Sequence, residues 1–173
     1  MSLILLNRVA RTDAPDLITA NRASRGHHLP WVDSFTDQAG FDQWFARCLT
    51  GPNVGLVARE RASGKVVGVV NLNEIVGGLF QSAYLGYYGM AEFSRQGLMT
   101  EALRAATGVA FGELGLHRLE ANIQPANHAS IALVRRLGFR KEGFSPRYLR
   151  IDGAWRDHER WALLADSEPE TGA

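Results

Sequence analysis

The residues best placed to do chemistry in this chain stand at the starts of two helical patterns. Ser94, Arg95, Gln96 and Gly97 form a basic, glycine-containing turn between a run of small and aromatic residues ending at Met90 and a helical period beginning at Leu98. The first N–H groups of a helix have no partner within it, and with the aligned peptide dipoles they amount to about half a positive charge. Such a terminus suits a phosphate or pyrophosphate, so the stretch Leu85 to Glu101 points to a phosphate-bearing cofactor. The second start is Asn127, followed by Ser130. Ser130, Val134 and Leu137 fall at i, i+4 and i+7, which turns the serine inward with two apolar side chains. Two readings stay open for the pair: Asn127 caps the helix and Ser130 bonds to backbone, or the hydroxyl serves a cleft.

Other reactive residue types have plainer explanations. Cys48 shares a helical face with Phe41, Trp44, Phe45 and Leu49, which reads as core rather than nucleophile. A single cysteine also excludes a disulfide within the chain and fits a reducing compartment. His27 and His28 lie in RGHHLPWVDSF, which reads as a loop or broken turn and is equally well explained by solvation. Glu120 alternates with Leu119 and Ala121 and is accounted for by the far face of a sheet.

The elements that must position these residues follow from period and punctuation. Residues 3–9 read as a strand. Asp13-Ala14-Pro15-Asp16 opens a helix reaching about Ala23, and Thr36 is the expected cap of the helix that carries Cys48. Residues 53–76 read as a hairpin turning at Ala62-Ser63-Gly64-Lys65, and Gly77-Gly78 leads into the strand ending near Met90. A helix from Leu98 to Leu114, closed by Gly115, presents Met99, Ala102, Leu103, Ala106, Val109 and Ala110 on one face. The strand His117–Gln124 must then run parallel to the one ending near Met90. Phe139–Leu164 reads as two strands joined at Asp152-Gly153.

At 173 residues and 19.0 kDa the chain reads as one domain over residues 1–165, with a polar tail at 166–173 expected to fray. Nineteen Lys and Arg against eighteen Asp and Glu give a net charge of +1, so no overall field draws it to nucleic acid or an anionic membrane. The N-terminal MSLILLNRVAR lacks a basic stretch before its short apolar run and reads as a strand, not a signal peptide. No apolar run approaches the roughly 18 residues that span a bilayer. The expected location is the cytoplasm. A nucleotide-binding P-loop is disfavoured, since no G-x-x-x-x-G-K-S/T run occurs.

Taken in order, SRQGLM, the alanine-rich helix, Asn127-x-x-Ser130 and LGFRKEG (Leu137 to Gly143) resemble the GNAT acyltransferases, whose fingerprint is Q/R-x-x-G-x-G/A, then N-x-x-S and LGFxxEG. The likeness runs from residue 50 to 165, and more loosely to the N-terminus. Tyr148 to His158, YLRIDGAWRDH, is similar to the end of the RimJ/RimL group, cytoplasmic enzymes that acetylate the N-terminal alanine of ribosomal proteins. The resemblance implies an α+β fold in α/β/α layers, with a twisted, mostly antiparallel mixed sheet of about seven strands, about four helices and a central parallel pair splayed at the cofactor site.

It further implies acetyl-CoA as co-substrate and no metal. Cofactor contacts would come from Tyr88, Gly89, Met90, Arg95, Gln96, Gly97, Leu98, Met99, Thr100, Asn127 and Ser130. The pantetheine arm would add to the strand edge, the pyrophosphate would rest on N–H groups of Arg95 to Thr100, and an N–H near Tyr88 or Met90 would hold the oxyanion. Catalytic roles fall to Ser130, as proton donor to a thiolate of pKa about 8.5, and to Asn127, which holds the helix terminus and the arm. His28, Trp31 and Tyr148, with His27, are the acceptor-side candidates.

Three positions depart from the family pattern. Ser94 replaces Gln or Arg and bears on cofactor affinity, Met99 replaces a small residue, and Leu149 lies where some members have a glutamate, so the general base is open. An α-amine of pKa about 8 needs less help from a base than a lysine at about 10.4, which favours a protein N-terminus as acceptor. The alternatives are a small-molecule N-acetyltransferase acting on a polyamine, aminoglycoside or amino acid, and a non-catalytic acyl-CoA sensor. Monomer and homodimer are both compatible.

Overall fold

The computed structural model describes residues 2–166. Its elements are β1 (Ile4–Arg8), α1 (Ala14–His28), α2 (Gln38–Thr50), β2 (Val54–Glu60), β3 (Val66–Val76), β4 (Ser82–Gly89), α3 (Leu98–Gly108), β5 (Arg118–Ile123), α4 (His128–Arg136), β6 (Arg140–Ile151) and β7 (Ala154–Leu164). The sheet order is β1-β2-β3-β4-β5-β7-β6. Every junction is antiparallel except β4 with β5, so the mixed, mostly antiparallel sheet implied by the resemblance is what forms.

Both faces of the sheet centre are covered, and for that reason β3 reads as an almost continuous apolar run: Val66, Val67, Val69 and Val70 are all buried. Glycines set how closely the helices approach. A Cβ on Gly55 would come within 2.7 Å of the Trp44 ring and 2.8 Å of the Cys48 sulfur, which puts α2 on one face. A Cβ on Gly68 would overlap the Met99 sulfur, which puts α3 on the other. Val134 of α4 packs with Leu103, Leu119 and Ala121 on the α3 side.

Some boundaries differ from the sequence reading. α1 continues past Ala23 to His28, because Gly26 is tolerated within it and only Pro30 forces the chain out; Leu29, before that proline, is extended at φ −71° and ψ 143°. Asp37, not Thr36, caps α2, its Oδ1 accepting the Gly40 N–H at 2.8 Å. Asp13 does not cap α1 through its side chain; Oδ2 accepts the Ala10 N–H and Oδ1 the Arg59 guanidinium, each at 2.8 Å. α3 ends as an α-helix at Gly108 and continues to Glu113 as a wider turn, with Gly115 at φ 62° beyond it. The expected tail lies, apart from Asp166, outside the described residues.

Candidate active site

β4 and β5 pair in parallel only at Ser82–Arg118, Ala83–Leu119 and Tyr84–Glu120. Beyond Tyr84, β3 holds β4 as far as Gly89, and β7 holds β5 as far as Ile123. Each strand thus follows its outer neighbour and the two part. A cleft of about 650 Å³ opens between them, reaching from the first turn of α3 past Ser130 to the end of α1 and to β6 and β7.

Ladder geometry decides which backbone groups face this gap. The Met90 N–H donates to the Val67 carbonyl at 2.8 Å, whereas the Gln81 carbonyl accepts the His117 N–H at 2.7 Å on the β5 side. Backbone groups alternate sides along a strand, so Tyr88 shares the direction of Met90, and the N–H groups of Tyr87 and Gly89 point into the gap. Of the N–H groups near Tyr88 and Met90, where an oxyanion donor is expected, those of Tyr87 and Gly89 face the gap.

The turn before α3 has Arg95 at φ 62° and Gly97 at φ 79°, the left-handed conformation that favours glycine and that Arg95 adopts at some strain. No side chain caps α3, and its first ladder bond is Glu101 N–H to the Gly97 carbonyl at 3.2 Å. The N–H groups of Leu98, Met99 and Thr100 are therefore left for a ligand. A Cβ on Gly97 would meet nothing within 4 Å. Ser94, Arg95, Gly97, Met99 and Thr100 line the cleft. The Gln96 side chain instead turns back to the Glu92 carbonyl at 3.0 Å, and the Leu98 side chain is buried in the core. Met99 owes its bulk to the facing glycines Gly68 and Gly89, since a Cβ on Gly89 would lie 2.8 Å from Met99 Cγ.

Asn127 does cap α4, its Oδ1 accepting the Ser130 N–H at 3.2 Å. The Ser130 hydroxyl does not bond to backbone: Oγ lies 2.6 Å from Tyr87 Oη. Burial pushes the Tyr87 phenol up to about 12, against the opposing bond to Ser130, so Tyr87 keeps its proton. Sequence reasoning missed Tyr87. The available signal was strand parity, which sends Tyr87 toward α4 and Tyr88 toward α1.

On the α1 side, His28 is fully engaged. Its Nε2 is 3.0 Å from the Gly89 carbonyl and Nδ1 is 2.8 Å from Ser34 Oγ. A carbonyl only accepts, so Nε2 carries the hydrogen and Nδ1 accepts from Ser34. Burial, the largest influence, lowers its pKa. His28 therefore ties α1 to the end of β4 and is no loop residue; His27, one position earlier, is exposed. Trp31 lines the cleft, but Tyr148 does not: its ring packs 6.3 Å from that of His158. His158 does line the cleft, and little in its local pattern marks it, since charged residues occupy both parities of Arg156-Asp157-His158-Glu159-Arg160. Among the described residues, no Asp or Glu lines the cleft. Among the described residues no cluster of three or more His, Cys, Asp or Glu could hold a metal, and no helix is long and apolar enough to cross a membrane.

Residues 4–140 match the sequence profile of the acetyltransferase (GNAT) domain. The chain belongs to the GNAT family. Among similar proteins of this family, the [ribosomal protein uS5]-alanine N-acetyltransferase of Escherichia coli K12 is 44% identical over 99 residues, which are 57% of this chain and 51% of that relative. The chain thus matches about half the length of that relative. The ribosomal-protein-S5-alanine acetyltransferase of Vibrio fischeri superposes with a TM-score of 0.84 at 25% identity, covering 98% of this chain and 97% of its own. Mycobacterium smegmatis RimJ, solved in complex with CoA-disulfide, superposes with a TM-score of 0.83 at 29% identity over 94% of this chain and 82% of its own. Within the GNAT family the chain is RimJ/RimL-like.

Proposed function

We propose that this GNAT protein is an acetyl-CoA-dependent N-acetyltransferase of one domain, residues 1–165, acting on a protein N-terminal α-amine of the ribosomal-protein alanine type. The observation that carries the reading is the parting of β4 from β5, which puts the uncapped start of α3 and the Ser130 hydroxyl on one cleft. The cofactor fits what lines that cleft. The free N–H groups of Leu98, Met99 and Thr100 suit its pyrophosphate, and Gly97 has no side chain to fill the space in front of them. Bound there, acetyl-CoA supplies an activated acyl carbon for direct attack by an amine. The N–H groups of Tyr87 and Gly89 are oriented to stabilise negative charge on the carbonyl oxygen. Ser130 donates to the leaving sulfur; either hydroxyl of the 2.6 Å Tyr87–Ser130 pair can be the donor, and with the serine turned to the sulfur it is Tyr87 that gives its hydrogen to Ser130 Oγ.

The preference for a single α-amine rests on the absence of any carboxylate among the described residues of the cleft lining. A polyamine carries several positive charges that would go unpaired there, whereas an α-amine of pKa about 8 enters partly neutral. The test is CoA release on mixing the protein, acetyl-CoA and a peptide with a free N-terminal alanine, beside the N-blocked peptide and spermidine. Turnover of the free peptide alone supports the assignment. Turnover of spermidine alone moves the protein to the small-molecule acetyltransferases, and acetyl-CoA binding without turnover on any amine makes it a sensor.

A further inference from the structure

The cleft offers few groups able to take a proton from an amine. Among the described residues, its charged and titratable lining consists of His27, His28, His158, Arg95, Arg136 and the tyrosines Tyr87 and Tyr88. Arginine stays protonated, and burial holds both tyrosines far above neutrality. His27 is exposed, and both ring nitrogens of His28 are spent on Gly89 and Ser34. His158 is left. Its Nδ1 is 2.9 Å from the Arg156 carbonyl, which can only accept, so Nδ1 carries the hydrogen and Nε2 the lone pair. Nε2 makes no hydrogen bond among the described residues, although the residue is only 1% exposed.

Its place in the sheet matches that task. Leu119, Ala121 and Ile123 of β5 pack with Val134 of α4, so Asn122 faces the opposite, α1 side. Asn122 is paired with Arg160, and parity puts His158 on that same face. Ser130 is on the α4 side. The two groups therefore stand on opposite faces of the sheet, joined only through the gap between β4 and β5. Also on the α1 side, Asn122 Oδ1 is buried without a partner, an acceptor for a second N–H of the amine.

We propose that His158 is the general base of the transfer, its Nε2 taking the proton that the attacking amine releases. This rests on the acetyltransferase reading above. The amine nitrogen bonds to the acyl carbon and the carbon–sulfur bond breaks. One amine proton passes to Nε2, giving imidazolium, which returns it to solvent. The thiolate takes a proton from Ser130, restored from water through Tyr87. Burial lowers the His158 pKa, with the hydrogen bond to Arg156 and then Asp157 opposing, so the ring is unprotonated and ready at neutral pH.

Two measurements decide it. In the unmodified protein, long-range ¹H–¹⁵N spectra should show His158 as the Nδ1–H tautomer; an Nε2–H tautomer overturns the proposal. His158→Asn keeps a donor for the Arg156 carbonyl and removes the base, and it should lose about 100-fold or more in kcat with acetyl-CoA Kd within about twofold of the unmodified protein. Folded, acetyl-CoA-binding His158→Asn within about threefold of the original kcat overturns the assignment. If His158→Asn does not fold, His158→Gln, which places an amide where Nε2 stood, is held to the same two limits, and the tautomer stands as the deciding result if neither folds. A lack of turnover by the unmodified protein on every amine refutes the acetyltransferase reading itself, a different result from turnover that survives loss of His158.

Discussion

If Tyr87 acts only through Ser130, then Tyr87→Phe must matter in one background and not in another. The phenol removed shares a 2.6 Å hydrogen bond with Ser130 Oγ, which has no other side-chain partner among the described residues. Such a bond is worth about 0.5–1.5 kcal/mol net. Losing it frees the serine hydroxyl to rotate, and a loss at the upper end of that range, about 1.4 kcal/mol, is about tenfold in rate. Tyr87→Phe is therefore expected to lower kcat about tenfold while acetyl-CoA Kd, set mainly at the α3 turn, stays within about twofold. Ser130→Ala should lower kcat by about 100-fold, as loss of a proton donor does. The double variant should match Ser130→Ala within about twofold, giving a coupling energy close to the whole 1.4 kcal/mol. CoA release measured by thiol titration under saturating substrates supplies all four rates. A full tenfold loss on adding Tyr87→Phe to Ser130→Ala would refute the relay and give the phenol a role of its own.

Gly97→Val is expected to weaken acetyl-CoA binding by at least about tenfold by calorimetry. The added side chain enters the open space before α3 and takes a left-handed φ of 79° at a cost of order 1–3 kcal/mol; unchanged affinity would remove the pyrophosphate from this turn. Acid should destabilise the fold in a window set by histidines. The pKa values of His28 and His158 are lowered from 6.5, chiefly by burial, so the folded state disfavours their protonation. Their contribution is complete above pH 6.5 and is lost as pH falls through the lowered values. The melting temperature should drop below pH 6.5, and less steeply in His28→Gln. The carboxylates Glu101, Glu142 and Glu159 are held below 4.5 chiefly by hydrogen bonds from Ser2, Arg118 and Lys141, and act only at lower pH. An equal slope in His28→Gln would place the acid sensitivity elsewhere.

Elements with a strong period or a turn signal of their own were readable in advance. Asp152-Gly153, the Gly64 turn and the parallel relation of β4 to β5 all form as the residues suggest, because local turn chemistry and the crossover rule decide them. The end of α1 was not readable, since Gly26 and two histidines look like loop punctuation, and what holds His28 in the last turn is its bond to the Gly89 carbonyl sixty-one positions away. Met99 departs from the family fingerprint because Gly68, on a different strand, leaves room beneath it, a fit between distant residues that local pattern does not carry. Tyr87 and His158 were missed for a related reason. Each lies on a strand whose two parities carry similar residue types, tyrosines in β4 and charges in β7, so alternation separates the two faces without saying which of them meets Ser130 or the incoming amine.

The separation of Ser130 and His158 by the sheet bears on how the proposed transfer must run. A covalent acyl-enzyme would need a nucleophile at the cleft. The one cysteine is not there: Cys48 sits on the sheet-facing side of α2 against Gly55, and burial raises its thiol pKa. Ser130 is a poor substitute, because its hydroxyl is held by a phenol whose own pKa is about 12 and no base stands beside it to activate attack. Direct transfer asks for the reverse arrangement, a proton donor on the side where sulfur leaves and a proton acceptor where the amine arrives. The gap between β4 and β5 satisfies both, since it lets donor and acceptor address one carbon from opposite faces of the sheet.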